Sequence, residues 1–135
     1  MAFKLVKGPS EAIHMHCAAS SSITEGSVVV FDVSAGAAVF KVILATSALL
    51  GVNVAGVALK TPAAGDTTVP VIPIHLGQVW EYDCTSNTAT ANLGKLNDLT
   101  DSLTVANSNT NSTAATAFVR NIETVGAASD KKMRG

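Results

Sequence analysis

Residues 69–83, VPVIPIHLGQVWEYD, decide how this chain is read, because they hold its one Trp, its one Tyr and two of its four prolines. His75, Glu81, Asp83 and Cys84 also lie close together here, which raises the question of a reactive site. Side chains alternate across a strand, so Gln78, Trp80, Tyr82 and Cys84 share one face while Val79, Glu81 and Asp83 share the other. The aromatic face is expected to be buried, with Trp80 in a core, and the acidic face to be solvated. Upstream, Val69, Val71, Pro73 and His75 share one parity and Pro70, Ile72, Ile74 and Leu76 the other. Pro70 and Pro73 have no N–H to give to a ladder, which predicts a strand at an edge or at a barrel seam. The stretch therefore reads as two barrel strands joined at Leu76-Gly77, and nothing in it assigns a role to His75.

Outward from this stretch the same punctuation recurs. Ser27–Val33 and Ala37–Ala45 read as a hairpin around a turn at Ser34–Gly36. VNVAGVALK, residues 52–60, is a further strand with Gly56 as a bulge or close-packing point. The TPAAGD turn at 61–66 then leads into TTVPVIPIH, a second hairpin. Residues 85–94 form a loop rich in Thr and Asn. Leu96, Leu99 and Leu103 fit one helical face, but Asn97, Asp98 and Asp101 between them equally suit an irregular strand or a single turn. NSNTNST at 107–113 has no side chain for a core, and ATAFVRNIETVG at 115–126 reads as a last strand. Strand signals spaced about 8 to 12 residues apart, divided by Gly, Pro, Asn and Ser, give an all-β fold, a small Gly-rich β-barrel or sandwich. Residues 1–22, split by Gly8-Pro9, form an extended N-terminal arm; residues 23–135 form the single barrel domain, ending in a short basic tail.

Composition supports this reading. A length of 135 residues suits one domain with one core. Charged residues make up 14% of the chain, against about 25% in an ordinary soluble domain. So neutral a surface suits a protein whose faces are covered by other chains. The net charge of −1 offers no field for nucleic acid or an anionic membrane. Cys17 and Cys84 are too few for a disulfide framework and read as reduced thiols in a cytosolic product, with one disulfide as the alternative. The N-terminus lacks the apolar core and cleavage site of a secretory signal, and no apolar run is long enough to span a membrane.

Chemistry finds little to build on. His14 and His16 would face the same way on a strand, as paired ligands require, but Cys17 would face the opposite way, and His75 and Cys84 form no second close pair. His14, His16 and Cys17 are thus weak metal candidates. Neither cysteine has a His nearby in sequence to activate it, and no GxSxG elbow, P-loop or GxGxxG is present. Glu81 and Asp83 share a face, but a solvated strand opposite an aromatic one explains them without acid–base or calcium chemistry. Lys4 and Lys7 at one end, and Lys131, Lys132 and Arg134 at the other, suit contacts to acidic patches on a partner better than a nucleic-acid surface, since little is available for stacking on bases.

The segments SITEGSVVVFDV (22–33), ATSALLGVNVAGVALKTPAAGDTTVPVIPI (45–74), GQVWEYD (77–83) and FVRNIETVGAASDKKMRG (118–135) together resemble the small capsid decoration, or cement, proteins of tailed bacteriophages. The resemblance is one of architecture and carries no catalytic signature. It implies a virion structural protein without enzyme activity or cofactor, made in the host cytoplasm. Such a protein would bind the phage major capsid protein on the outer capsid surface and stabilise the expanded head. It also implies a homo-oligomer, a trimer being the favoured form. On this view the arm lies across neighbouring subunits, with Phe3, Lys4, Val6, Lys7 and Ile13 as its contacts, joined by Lys131, Lys132 and Arg134 from the tail. The HMHC segment and the paired prolines depart from the simplest members of that group. The alternatives are another small β-domain of a virion, such as a head fibre base, a tail tube or a head-completion protein, and a metal-binding β-barrel protein.

Overall fold

A computed structural model describes residues 3–32, 41–45, 54–75, 77–94, 96–97, 99, 101–107 and 119–135. Twelve short strands lie among them: β1 Lys4–Lys7, β2 Ile13–His16, β3 Val28–Phe31, β4 Val42–Leu44, β5 Val54–Ala58, β6 Thr68–Pro73, β7 Val79–Cys84, β8 Leu96–Asn97, β9 Thr104–Val105, β10 Val119–Arg120, β11 Glu123–Val125 and β12 Lys132–Arg134. The fold is all-β. Sheet I has the order β1-β7-β12-β11, with β9 parallel to the end of β7; sheet II has the order β2-β6-β5-β3-β4; β8 and β10 form a separate pair.

Sheet II is apolar on both faces, which is why its strands read as continuous runs such as VVVF rather than as a polar alternation. Val28, Val30, Val57 and Ile72 face sheet I and pack with Phe3, Trp80, Tyr82, Cys84 and Met133. Val29, Val42, Ala58, Val69 and Val71 face the other way, into a second cluster that includes Cys17 and Ile23. The two parities of the 69–73 stretch thus serve two different cores.

No closed barrel is found among the described residues. The outer strands of sheet II, β2 and β4, approach through a single described bridge between His16 and Lys41, and no continuous ladder joins them there. The strand with two prolines is not at an edge either: β6 lies between β2 and β5. In a strand the N–H and C=O of one residue point to the same side. Pro70 accepts from the Leu59 N–H at 2.9 Å, so its nitrogen faces β5 one position past Ala58, where that ladder has ended. Pro73, of opposite parity, faces β2 beyond the last pair of that ladder, Ile13 with Val71. Each proline nitrogen points off the end of a ladder, so an internal strand tolerates both.

Both expected hairpins form, β3 with β4 and β5 with β6. The Ser34–Gly36 turn lies outside the described residues, as does most of the 107–113 loop. Gly56 is a close-packing point: a Cβ there would collide with the carbonyl oxygen of Ile72, and the β3–β5 register shifts beside it, between Val29 and Val30. The strands on either side of Leu76-Gly77 do not pair with each other. Instead the link carries the chain from sheet II to sheet I.

The expected last strand is two strands, β10 and β11, broken at Asn121-Ile122. The cause is a buried polar cluster. The Tyr82 hydroxyl donates to Asn121 Oδ1 at 2.7 Å, and Asn121 Nδ2 donates to the Asn92 carbonyl at 3.1 Å and to Asn97 Oδ1. Asn107 ties the same loops together, donating to the Ser86 carbonyl and accepting from the Ser86 N–H, both at 3.0 Å. Asn97, read as a turn residue, Asn107, read as part of a loop, and Asn121, read within a strand, are all buried core residues. Leu96 and Leu99 lie in short extended pieces rather than on a helical face.

Candidate partner-binding surface

The N-terminal arm is built as a strap across both sheets. β1 adds to the edge of sheet I beside β7, and β2 adds to the edge of sheet II beside β6. Phe3 fixes the start: its ring stacks against Tyr82 with centroids 5.5 Å apart, and its N–H donates to the Gly26 carbonyl at 2.9 Å. Phe3 is only 4% exposed, so the expectation of a partner contact is corrected for this residue: it anchors the arm in the chain's own core. Val6 and Ile13, by contrast, are 44% and 53% exposed, and Lys4 and Lys7 are exposed beside them.

The crossing between sheets rests on one side chain that sequence reading passes over. Gln78 Oε1 accepts from the His75 N–H at 2.8 Å and the Trp80 indole N–H at 3.2 Å, while its Nε2 donates to the Pro73 carbonyl at 3.0 Å and the Pro9 carbonyl at 2.7 Å. Every polar group of the amide is thereby used. Gly8 makes the approach possible: its φ is +109°, and a Cβ would stand 2.8 Å from the Gln78 Cα. The Gly8-Pro9 break and the Gly77-Gln78 joint are thus two halves of one junction, and the backbone of His75 belongs to it. No periodic signal marks Gln78; its position between Gly77 and the aromatic strand is the only trace in the sequence.

The basic C-terminal segment is no free tail. Its residues 132–134 are β12, inserted between β7 and β11. Lys132 Nζ lies 2.7 Å from Asp83, and Arg134 reaches Glu81 at 3.2 Å and Glu123 at 3.4 Å. Two of the three cations read as partner contacts are therefore held in ion pairs within the chain, and Lys131 alone is exposed. The carboxylates Glu81 and Asp83 do share the outer face of β7, opposite buried Trp80 and Tyr82, as parity requires. Burial acts to raise the Asp83 pKa, but hydrogen bonds and charges from cationic groups, Lys132 first among them, together outweigh it and hold the carboxyl below its ordinary range.

His14 and His16 are exposed on β2, while Cys17 is buried with its Sγ 3.7 Å from the Asp66 carbonyl, so the three do not converge. Among the described residues no group of three His, Cys, Asp or Glu side chains is placed to hold a metal ion. Cys17 and Cys84 are free thiols in different cores. Burial, with a smaller contribution from the Asp83 charge, pushes the Cys84 thiol up to about 12.

Beside β1 lies an open cleft of about 760 Å³, floored by Val57, Ala58, Ile72 and Trp80 and rimmed by Leu5 and Leu59. The edge of β1 borders it. Searches against family models, curated proteins and solved structures found no match to this chain.

Proposed function

We propose that this chain is a capsid decoration protein, which binds the outside of a tailed phage's major capsid protein lattice as a small homo-oligomer, three copies being the favoured number, and stabilises the expanded head. The supporting observation is the strap: an arm added to the edges of both sheets, anchored at Phe3 and Gln78, that turns Val6, Lys7 and Ile13 outward. Exposed apolar side chains on edge strands favour docking on another chain's surface. The low charge of the chain suits a surface that is covered in use. A structural role without catalysis accords with carboxylates engaged in ion pairs and a Cys84 thiol that stays protonated at neutral pH. The arm's apolar contacts and Lys7 carry the docking, and Lys131 adds an exposed cation.

The test adds purified protein to expanded capsids lacking it. Saturable binding to the outer surface and increased resistance of the shells to heat are expected, and Val6→Asp with Ile13→Asp abolishes both. Binding to tails but not to expanded shells would move the protein to another position in the virion, and no binding to either would refute the proposal.

A further inference from the structure

The N-terminal arm makes its ladders with the body of the chain and none between its own two strands. β1 pairs with β7 through Lys4, Leu5 and Lys7, and β2 pairs with β6 from Ile13 to His16, so every rung of the two ladders joins residues 4–16 to residues 68–81. Its other fixtures, Phe3 on Tyr82 and Gly26 and the Pro9 carbonyl on Gln78, are likewise to the body. Both strands lie at sheet edges. On its outer side β1 faces the open cleft, and β2 meets Lys41 through the one described bridge at His16. The arm can therefore leave its seat without parting any two strands of the sheets beneath it, and the arm of another copy would remake the same bonds there.

Residues 18–22 tie the arm to its own body, between buried Cys17 and buried Ile23. They fold back in a tight turn, with the Ser21 N–H donating to the Ala18 carbonyl at 3.1 Å, and hold no Gly, Pro, Asn or Asp to specify it. The Gly65 N–H docks the turn on the body by donating to the Ala19 carbonyl at 3.0 Å. The turn also seals the Ser21 hydroxyl from solvent without a hydrogen-bond partner, and no other buried side-chain N or O among the described residues is left so. An orphaned hydroxyl disfavours the closed turn, and an extended hinge returns it to water.

We infer that the arm is exchanged between copies: residues 3–17 of one chain seat along β7 and β6 of another, and residues 18–22 open as the hinge. A reciprocal pair or a closed ring leaves no seat empty. A short flexible tether presents the arm to its own seat at an effective concentration on the order of millimolar. The orphaned hydroxyl lowers that advantage by about tenfold, so exchange competes at about 0.1 mM chain. The inference does not rest on the capsid reading, and its test uses the full chain without capsids, so the two fail separately.

The experiment refolds two full-chain variants together, Lys4→Cys and Glu81→Cys, over a concentration series centred on about 0.1 mM, and oxidises them mildly once folded. Positions 4 and 81 are partners across β1 and β7, within disulfide reach when the arm is seated. A disulfide between the two variants, read as a covalent dimer on a non-reducing gel, requires the arm of one chain on β7 of the other. The pair His16→Cys and Thr68→Cys, partners across β2 and β6, reads the other half of the arm in the same way. Placing both substitutions of a pair in one chain establishes that the variants fold and seat an arm, because the disulfide then closes at any concentration. Lys131→Cys with Glu81→Cys, positions that are not partners, sets the level of chance collision. Covalent dimers well above that level are expected from both pairs, and Ser21→Ala in both chains shifts half-exchange to a concentration about tenfold higher. Dimers no commoner than chance while the single-chain pairs close, crosslinking of one pair without the other, or exchange that Ser21→Ala leaves unchanged would each overturn the proposal.

Discussion

Removing one oxygen from the core tests the polar cluster that breaks the last strand. Tyr82→Phe keeps the ring packed against Phe3 but deletes the donor that satisfies Asn121 Oδ1 at 2.7 Å. Asn121 is sealed from solvent, so no water takes the donor's place. Leaving a buried acceptor without its partner costs about 1–3 kcal/mol, and retention of the ring places the loss near ~1.5 kcal/mol. Asn121→Ala removes the bonds to Tyr82, Asn97 and Asn92 together, each worth about 1 kcal/mol net, and creates a small cavity; a loss of about 3–4 kcal/mol follows. Against a total stability of about 5–15 kcal/mol, that is a large fraction. In the Asn121→Ala background the hydroxyl is itself an orphan, so adding Tyr82→Phe costs little or nothing, and the cycle shows coupling of about 1–2 kcal/mol. Urea unfolding followed by the fluorescence of Trp80, the single Trp, supplies all four free energies. A Tyr82→Phe loss below about 0.3 kcal/mol, or additivity of the two substitutions, refutes the reasoning. Burial also pushes the Tyr82 phenol well above its ordinary value. Stability from that shift is full below about pH 10, where an unfolded tyrosine ionises, and falls above it; Tyr82→Phe lacks this alkaline loss.

Three further outcomes are expected. Gln78→Ala frees the Pro9 carbonyl and the His75 N–H to water; partial exposure limits the stability cost to about 1–2 kcal/mol, but limited proteolysis then cuts near Gly8-Pro9 at sites protected in the wild type. The Asp83 carboxyl is depressed by Lys132, so its contribution of about 0.5–1 kcal/mol is fully present above roughly pH 4 and is lost as pH falls through the lower folded value; Asp83→Asn removes that acid-labile part, as urea titrations at neutral and acid pH will register. Both thiols are buried, and that of Cys84 is pushed up to about 12, so a colourimetric disulfide reagent at mildly alkaline pH reacts with neither until denaturant is added.

What could be read in advance was whatever depends on alternation and punctuation. Burial of Trp80 and Tyr82 against outward Glu81 and Asp83 follows from the period of a strand, and the two hairpins follow from turns with Gly and Pro. Pairing over long distances was hidden. Nothing local to AASDKKMRG says that Lys132 will face Asp83, 49 positions away, so a central strand reads as a tail. The asparagines failed for a related reason: Asn97 reads as a turn residue and Asn121 as one position in an unbroken strand, and only the third dimension supplies the partners that let them be buried. The prolines of β6 misled because the rule that excludes them from internal strands assumes ladders along the whole strand, and here both ladders stop short.

The place of β12 has a consequence for the order of events in the cell. Sheet I needs residues 132–134 at its centre, between β7 and β11, and β1 from the opposite end of the chain at its edge. The ribosome delivers residues in sequence, so β7 emerges with β1 already made for one side but with its outer carboxylates and its other side unmatched, and waits for nearly fifty more residues before Lys132 and Arg134 arrive. Sheet II has all its strands by residue 73 and can assemble earlier. Completion of sheet I thus waits for β12 to emerge, and a chain lacking residues 132–134 has a second layer with no middle.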